Sequence, residues 1–416
     1  MTAATHTDVQ PLVGSPATPA TARKRGLAIP VGLVVVLGAL QGLGPLSLDT
    51  YLPALPTIAG DLSASTSATQ LTLTATLVGL ALGQVVFGPL SDALGRRRPL
   101  LIGLSLFVAA SLACAVAPNI EVLIGLRAVQ GFAAASGMVT AMAVARDSSS
   151  GNAMARLFSA LMLVTGVAPV AAPVLGGQLL LLTSWRGVFA LLGVLGVVLL
   201  AVGLLRMPET LAPAARRRGG LSHTLRTFKS LLGDRGFVLP LGTLMLACGG
   251  LFGYLAGSPF LLQEVHGLSA QAYSAVFAVN ALGLTALSQV SGRVVHRVGP
   301  KVLMLVGVSI IALGGLGLLA STLTGAGLVA VLPSLFLTMA GLGFIFPNAS
   351  TLALSGHADA AGSASALLGL GQFLAGAIVA PLVGLGSDPT LSMAVVLAVA
   401  TSSSLLVGLL ATRRTA

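Results

Sequence analysis

Residues 88–99 read GPLSDALGRRRP, a short segment of acid and base between two long runs without charged residues. A weaker copy, GRVVHRVGPK, begins at Gly292. At one offset of 204 residues, Gly88 falls on Gly292 and Gly95 falls on Gly299. Because this offset is close to half of the 416 residues, the repeat predicts an architecture made of two similar halves.

The composition is typical of a membrane protein. Hydrophobic residues make up 55% of the chain and charged residues 8%, whereas soluble domains carry about 25% charged residues. Runs without Asp, Glu, Lys or Arg are long enough for helices of about 20 residues that span a bilayer. The chain lacks the short, strictly alternating strands of a β-barrel. The sequence therefore predicts an all-α membrane protein with twelve transmembrane helices, at approximately 27–51, 66–90, 99–117, 121–145, 156–181, 187–206, 237–258, 269–291, 300–320, 327–349, 361–382 and 390–411.

The placement of the basic residues predicts the orientation in the membrane. The net charge is +11, and with twelve spans every Lys and Arg except Arg127 and Arg186 falls in segments on one side. Cytoplasmic segments of membrane proteins carry an excess of Lys and Arg. We therefore expect both termini in the cytoplasm, and we expect no binding of nucleic acid.

The longest polar stretch between spans, 207–236, divides the chain. Six spans precede it and six follow it, which predicts two pseudo-symmetric six-helix bundles at 27–206 and 237–412 joined by a cytoplasmic linker. Residues 1–26, rich in Thr, Ala and Pro, are expected to form a disordered cytoplasmic tail. Two halves of this kind suit a transporter that rocks around a central site.

The segment 88–98 follows the pattern G-x-L-x-D-x-x-G-R-R. Gly95 suits a positive φ in a tight turn, Gly88 allows close packing at the end of span 2, and Arg96 and Arg97 anchor the cytoplasmic side. The pattern resembles the signature cytoplasmic loop of the major facilitator superfamily, although Ala93 stands where the family often has Arg. On another interpretation, the arginines only set the topology.

The resemblance implies that Asp92 helps to close the cytoplasmic side of the transporter. We expect the Asp92 carboxylate to accept a hydrogen bond from Arg146, at the inner end of span 4. It could also lie at the N-terminus of span 11, near Gly362, where a carboxylate is favourable.

Span 5 contains GVAPVAAPVLGG at residues 166–177. This resembles the antiporter motif of drug exporters, usually G-P-x-x-G-G, with Ala172 in place of the first glycine. The resemblance implies export rather than import, whereas a bent packing helix without directional meaning is the alternative. The residues assigned to this antiporter helix are Gly166, Pro169, Pro173, Gly176 and Gly177.

Two ionisable residues fall inside predicted spans and indicate proton coupling. Arg127 lies in the outer part of span 4, where an arginine costs at least about 2.5–3.5 kcal/mol and suggests function. Asp49 lies in the outer half of span 1, at a comparable depth. A carboxyl group in a dry cavity can hold a proton, and a nearby guanidinium favours its release. On the alternative interpretation, both residues only anchor helix ends at the headgroups.

The sequences around Asp49-Thr-Tyr51 and in spans 7, 8, 10 and 11 resemble the drug:proton antiporters of the bicyclomycin-resistance (Bcr/CflA) type. Polar groups within spans must face protein or water, because lipid cannot satisfy them. The candidates for a substrate cavity are Gln41, Tyr51, Gln130, Tyr254, Asn280, Asn348 and Gln372.

The sequence predicts proton-coupled efflux of small, largely apolar drugs across the bacterial inner membrane by alternating access. A dedicated exporter of one metabolite with the same mechanism is the alternative. An enzyme is disfavoured because the chain has no HExxH, no G-x-S-x-G and no P-loop lysine. We expect no cofactor and no metal, a small-molecule substrate, protons and the lipid bilayer as partners, and a monomer. The sequence does not identify the substrate.

Overall fold

The computed structural model describes residues 31–148, 151–213, 216, 221–357, 360–386 and 388–413. The predicted tail at 1–26 and part of the predicted linker lie outside these residues. Within the described residues, eleven helical segments are long and apolar enough to cross a membrane, and the shorter apolar stretch Leu163–Leu179 adds a twelfth. The prediction of an all-α fold with twelve transmembrane helices is confirmed.

The N-terminal half contains seven helices, because the first span is divided into two: α1 (Val31–Asp49), α2 (Leu55–Asp61), α3 (Thr66–Leu94), α4 (Arg97–Ala115), α5 (Ile120–Ser148), α6 (Gly151–Leu179) and α7 (Trp185–Arg206). The C-terminal half follows the linker helix α8 (Leu221–Gly233), and its tenth span is divided: α9 (Arg235–Phe260), α10 (Ala270–Val298), α11 (Pro300–Thr324), α12 (Leu328–Ala340), α13 (Leu342–Leu354), α14 (Ala361–Val379) and α15 (Pro389–Arg413).

The links between helices fall on two sides, which we name by their composition. The basic side carries the links at 95–96, 207–234, 299 and 355–360. The far side carries the links at 62–65, 116–119, 180–184, 266–269, 325–327 and 385–388. The turn predicted near Thr324 lies on the far side, where Gly325 ends α11 with a φ of 64°.

Three spans leave regular α-helical geometry toward the far side. The first is interrupted after Asp49 by a 3₁₀ turn at Leu52–Ala54, the seventh ends in a π-helical turn at Leu261–Val265, and the eleventh ends in a 3₁₀ turn at Ala380–Gly384. Such breaks leave backbone carbonyl groups without a helical partner. Within a membrane they occur only where protein or water satisfies those groups.

The described part of the linker contains a helix that the sequence pattern did not predict. This is the amphipathic helix α8, which packs against α9 and α14. Leu231 on its inner face is buried, whereas Arg226 and Lys229 are exposed. This apolar face is short and lies within a stretch rich in arginine, so the sequence pattern did not indicate the helix.

Small residues let the helices of the N-terminal half approach closely. A Cβ atom on Gly79 would overlap with the backbone of Ala128, and one on Gly131 would overlap with the backbone of Thr76. Glycine is required at both positions because no side chain separates α3 from α5. This tight pair supports the part of α5 that carries Arg127.

Candidate functional site

The repeated loop has the same backbone conformation in both halves. Gly95 links α3 to α4 with a φ of 93°, and Gly299 links α10 to α11 with a φ of 85°. Both values lie in the region that favours glycine, as the sequence predicts for Gly95. In contrast, a Cβ atom on Gly88 would meet nothing within 4 Å. Close packing at the end of the second span is therefore not the role of Gly88 in this structure.

Arg96 is the centre of a buried ionic network on the basic side. Its side chain is 9% exposed. It donates from Nη1 to Asp92 Oδ1 at 2.5 Å and to Ser91 Oγ at 3.1 Å, and from Nε to Asp147 Oδ2 at 2.8 Å. Burial alone would lower the pKa of Arg96, but the hydrogen bonds to Asp147 and Asp92 outweigh it and raise the pKa. Arg96 thereby joins the end of α3 to the end of α5.

The partner predicted for Asp92 was wrong. Arg146 is exposed and its Nε donates to Met142 O at 3.3 Å, one turn earlier in its own helix. The next residue, Asp147, faces the loop instead and binds Arg96. A rotation of 100° between neighbouring helical positions separates the two roles, and the sequence pattern does not give that rotation.

The carboxylate of Glu209, which follows α7 in the chain, caps the start of α4. Glu209 accepts hydrogen bonds from the backbone N–H of Arg96 at 2.9 Å and of Arg97 at 3.3 Å. Burial raises the pKa of Glu209, but these hydrogen bonds, a third from Leu211 N–H and the charge of Arg216 outweigh it, so the pKa is lowered. Arg97 also donates from Nη2 to Leu204 O at 2.6 Å. The loop is thus fixed to the end of α7.

The paired glycines of the antiporter helix, α6, lie where three helices meet. A Cβ atom on Gly176 would overlap with Thr50 O in the break of the first span. A Cβ atom on Gly177 would overlap with Ser274 Oγ of α10. Helix α6 therefore lies between the broken first span and the C-terminal half. At both contacts α6 contributes only its own backbone.

The remaining residues of the antiporter helix have looser surroundings. A Cβ atom on Gly166 would lie 3.9 Å from the Thr285 side chain, and Gly166 O accepts from Thr285 Oγ1 at 3.4 Å. Helix α6 runs through Pro169 and Pro173 without ending. Membrane helices tolerate prolines where neighbouring groups satisfy the freed carbonyls.

The two halves are joined on the far side by four hydrogen bonds from neutral side chains to backbone carbonyls, which we call the far-side seal. Gln263 Nε2 donates to Pro53 O at 3.2 Å, and Gln271 Nε2 donates to Gly177 O at 2.8 Å. The other two are Gln70 Nε2 to Ala256 O at 3.1 Å and Ser67 Oγ to Gly384 O. Three of the four acceptors lie in the breaks of the spans or in the paired glycines of α6: Pro53 O, Gly384 O and Gly177 O.

The basic side shows the opposite arrangement. Among the residues that the structure describes, the contacts of Arg96 with Asp92, Asp147 and Glu209 lie within the N-terminal half, and His357 lies 2.9 Å from Asp234 within the C-terminal half. Cβ atoms on Gly88 at the end of α3 and on Gly362 at the start of α14 would meet nothing within 4 Å. The hydrogen bonds of the far-side seal therefore close the far side between the two halves.

Asp49 and Arg127 are the buried charged residues within the spans that the structure describes, since the third buried charge, Arg96, lies in a link. Asp49 is 5% exposed and ends α1 at the break of the first span. No ion pair between described residues joins Asp49 to Arg127. The break that follows Asp49 contacts the C-terminal half, where Gln263 Nε2 donates to Pro53 O at 3.2 Å.

Arg127 is held inside the N-terminal half by aromatic rings and one amide. Its guanidinium carbon lies 4.1 Å from the centroid of the Tyr51 ring and 5.5 Å from that of Phe189. Nη1 donates to Gln130 Oε1, and Gln130 Nε2 donates to Ser111 Oγ at 2.7 Å. Nε and Nη2 of this fully buried side chain have no hydrogen-bond partner. A buried donor without a partner costs about 1–3 kcal/mol, and more when charged.

The cavity candidates divide by the partners that satisfy them. The Tyr254 hydroxyl oxygen accepts from Asn280 Nδ2 at 3.0 Å within the C-terminal half. Asn348 donates to Ser291 Oγ and Phe344 O within the C-terminal half. The side chains of Tyr51 and Gln130, described above, contact Arg127. Gln41 is buried with an unpartnered Oε1, and Gln372 is half-buried.

Sequence reasoning missed the residues whose roles depend on the breaks in the helices. Gln263 and Gln271 read as ordinary far-side polar residues, and nothing in their spacing indicates which carbonyls they reach. Asp147 and Glu209 could have been found, because the chain has only 11 acidic residues and both follow the basic ends of spans. Tyr273 gave no signal beyond its position near the start of the eighth span.

Comparisons with known proteins agree with this architecture. The family model described as Major Facilitator Superfamily matches residues 33–381. The chain is 40% identical over 369 residues to the uncharacterized MFS-type transporter YdgK of Bacillus subtilis (strain 168), which covers 88% of this chain and 92% of that protein. It is 28% identical over 350 residues to a bicyclomycin resistance protein homolog of Haemophilus influenzae, which covers 84% and 88%. The resemblance drawn from the sequence is confirmed.

Solved structures show the same fold. The crystal structure of a D-xylose-proton symporter matches with a TM-score of 0.71 and 17% sequence identity, over 92% of this chain and 96% of that chain. At this identity the likeness concerns the fold alone. With the family match over most of the chain and the relatives above, the protein is a multi-pass membrane transporter, not an enzyme, and it belongs to the Major Facilitator Superfamily.

Proposed function

We propose that the protein exports small, largely apolar drugs or drug-like compounds in exchange for protons across a bacterial inner membrane. The orientation rests on the positive-inside rule, which favours the basic side as cytoplasmic. The direction of transport is supported by the antiporter helix and by the relative named for bicyclomycin resistance. On this proposal the far side, where the seal joins the two halves, faces outward.

The position of Asp49 carries the proposal. It is a buried carboxyl group at a helix break, beside the seam where the two halves must separate. The break that follows Asp49 contacts the opposite half, because Gln263 Nε2 donates to Pro53 O. Opening of the far side therefore separates this contact and changes the surroundings of Asp49. A group whose surroundings change with each transport step is suited to bind a proton in one state and release it in the other.

Arg127 supplies the fixed part of this arrangement. The Tyr51 ring and Gln130 hold its guanidinium within the N-terminal half. Tyr51 lies two residues along the chain from Asp49. The positive charge therefore moves with Asp49 and favours proton release once water reaches the carboxyl group. In the inward-open state the proton leaves toward the cytoplasm and the cavity accepts substrate. In the outward-open state Asp49 is protonated and the substrate leaves.

The first experiment is a susceptibility screen in a strain whose own exporters are deleted, with bicyclomycin and chloramphenicol among the compounds. Everted vesicles from that strain then measure the transport of an identified substrate while respiration maintains a proton gradient. We expect uptake into the vesicles that stops when a protonophore dissipates the gradient. Transport that continues without the gradient would contradict proton coupling.

The variant Asp49→Asn tests the proposed coupling residue. It keeps the size of the side chain but removes the ionisable group, so we expect gradient-driven uptake to be abolished while the protein remains in the membrane. Glu121→Gln is the matched control, because Glu121 is an exposed acid of the same half. We expect this control to transport normally. Normal transport by Asp49→Asn would remove Asp49 from the mechanism.

A further inference from the structure

A cavity of about 500 Å³ lies on the basic side of the C-terminal half, apart from Asp49 and Arg127. It is bounded by the starts of α9 and α11, the end of α13 and the end of α15. Sites for small molecules have volumes of about 300–1,000 Å³. The cavity is thus large enough for a ligand well beyond a water molecule or a single ion.

Within the described part of the chain, the walls of this basic-side cavity carry Arg235, Lys301, His357 and one acid, Asp234. Both carboxylate oxygens of Asp234 are engaged. Oδ1 accepts from the N–H of Gly236 at 2.9 Å, and Oδ2 lies 2.9 Å from His357 Nε2. The Asp234 carboxylate therefore already has partners at the start of α9 and in the His357 ring.

His357 is held in the wall of the cavity. Its Nδ1 lies 3.1 Å from Ala353 O, and its Nε2 lies 2.9 Å from the Asp234 carboxylate. Among the described residues, Arg235 and Lys301 are the arginine and lysine side chains that line the cavity.

The N-terminal half shows what occupies the matching place in the other copy of the repeat. There the Glu209 carboxylate accepts from the backbone N–H groups at the start of α4, and a Cβ atom on Gly95 would overlap with it. Gly299 has a similar backbone conformation, yet a Cβ atom there would meet nothing within 4 Å among the described residues. The N-terminal half provides its own anion at this place, and in the C-terminal half the wall of the cavity begins two residues further along the chain, at Lys301.

We propose that the basic-side cavity binds the phosphate group of an anionic ligand, either a phospholipid headgroup or a free phosphate compound. Arginine and lysine donate to phosphate oxygens, and the planar guanidinium of Arg235 can do so with two parallel hydrogen bonds. Basic pockets between transmembrane helices on the cytoplasmic side bind such headgroups in other membrane proteins. The site lies wholly within one half, so it does not depend on the proposed transport cycle.

The test uses the purified full-length protein in detergent, titrated with phosphatidylglycerol, with phosphatidylcholine or with inorganic phosphate. Apparent dissociation constants come from the rise in the unfolding temperature. The variant Arg235→Gln/Lys301→Gln removes two charges from the cavity. The matched control, Arg293→Gln/Arg297→Gln, removes two exposed charges from the same half and the same side, outside the cavity.

We expect phosphatidylglycerol, but not phosphatidylcholine, to stabilise the wild-type protein and the control. Binding to the cavity variant should be about 30-fold weaker, because each basic residue near an anionic headgroup contributes about 1 kcal/mol. If inorganic phosphate does not stabilise the protein, the ligand is the lipid. If inorganic phosphate stabilises the wild-type protein and the control but binds the cavity variant more weakly, the ligand is a free phosphate compound. Equal losses in both double variants, or no preference for the anionic probes, would overturn the proposal.

A second variant keeps the test decisive if the double variant does not fold. Gly356 lines the cavity, and a Cβ atom there would meet nothing within 4 Å. Gly356→Phe fills the space without changing any charge, so it should abolish binding of the anionic probe. Unchanged binding by Gly356→Phe would show that the anions bind elsewhere.

Discussion

The guanidinium carbon of Arg127 lies 4.1 Å from the centroid of the Tyr51 ring, so a ring from the broken first span covers a buried cation of α5. A desolvated contact of this kind contributes about 2 kcal/mol or more. We expect Tyr51→Leu to lower the unfolding temperature and to impair transport, whereas Tyr51→Phe should keep most of both. Equal effects of the two substitutions would show that the hydroxyl group, which lies 3.2 Å from Thr72 Oγ1, is the important contact.

Arg127→Lys should also fail, despite the retained charge. The planar guanidinium both stacks on Tyr51 and donates to Gln130, and a lysine ammonium group cannot satisfy the two geometries together. We expect transport to fall at least tenfold with normal insertion into the membrane. Near-normal transport by Arg127→Lys would show that only the charge is needed.

The paired glycines of α6 should respond to substitution more strongly than Gly166, about three turns earlier in the helix. Gly176→Ala places a methyl group on the backbone of Thr50, which cannot move without displacing the broken span. Overpacking of this kind costs about 1–3 kcal/mol. We expect Gly176→Ala to shift the protein away from the state closed on the far side. Gly166→Ala is the control, since its Cβ atom would lie 3.9 Å from Thr285.

The far-side seal should weaken in steps. Gln263→Leu/Gln271→Leu removes two of its hydrogen bonds, each of which contributes about 0.5–1.5 kcal/mol. The closed state would then lose about five- to 150-fold in population relative to the open state. Distances between spin labels on the far-side ends of α2 and α9 would report this shift. Asn119→Ala should leave the distances unchanged, because Asn119 caps α5 within one half.

The ionic network on the basic side should depend on Asp147 and not on Arg146. Removal of one partner from a buried ion pair costs about 3–5 kcal/mol. The Asp147 side chain is 19% exposed and that of Asp92 is 56% exposed, so Asp147→Asn should reduce transport more than Asp92→Asn. Arg146→Gln should have little effect. A strong defect in Arg146→Gln would indicate that Arg146 pairs with Asp92 in another state of the cycle, as expected from the sequence.

Glu209 should make the stability of the basic side depend on acidity. Its pKa is lowered in the folded protein from an ordinary value of 4.5, so its contribution is fully present above that value. The contribution disappears as the pH falls through the lowered pKa. Loss of a helix cap costs about 0.5–2 kcal/mol. We therefore expect Glu209→Gln to unfold at a lower temperature than wild type at pH 7, with the difference disappearing in acid.

Much of the fold could be predicted from the sequence, because runs without charge mark the spans and a duplicated loop marks the two halves. The local geometry of Gly95 also follows from its residue type. The partners of Asp49, Arg127 and Asp92 could not be predicted, because they depend on the rotation of each helix about its axis. Hydropathy gives the depth of a residue in the membrane, but a lipid-facing and a protein-facing position at one depth look alike.

The far-side seal consists of neutral amide and hydroxyl groups that donate to carbonyls, whereas the basic side is held by ion pairs. With the proposed orientation, the outer gate faces surroundings whose salinity the cell does not control. Ionic strength screens exposed charges but leaves neutral hydrogen bonds nearly unchanged. The transporter should therefore stay closed toward the outside over a wide range of external salt concentrations.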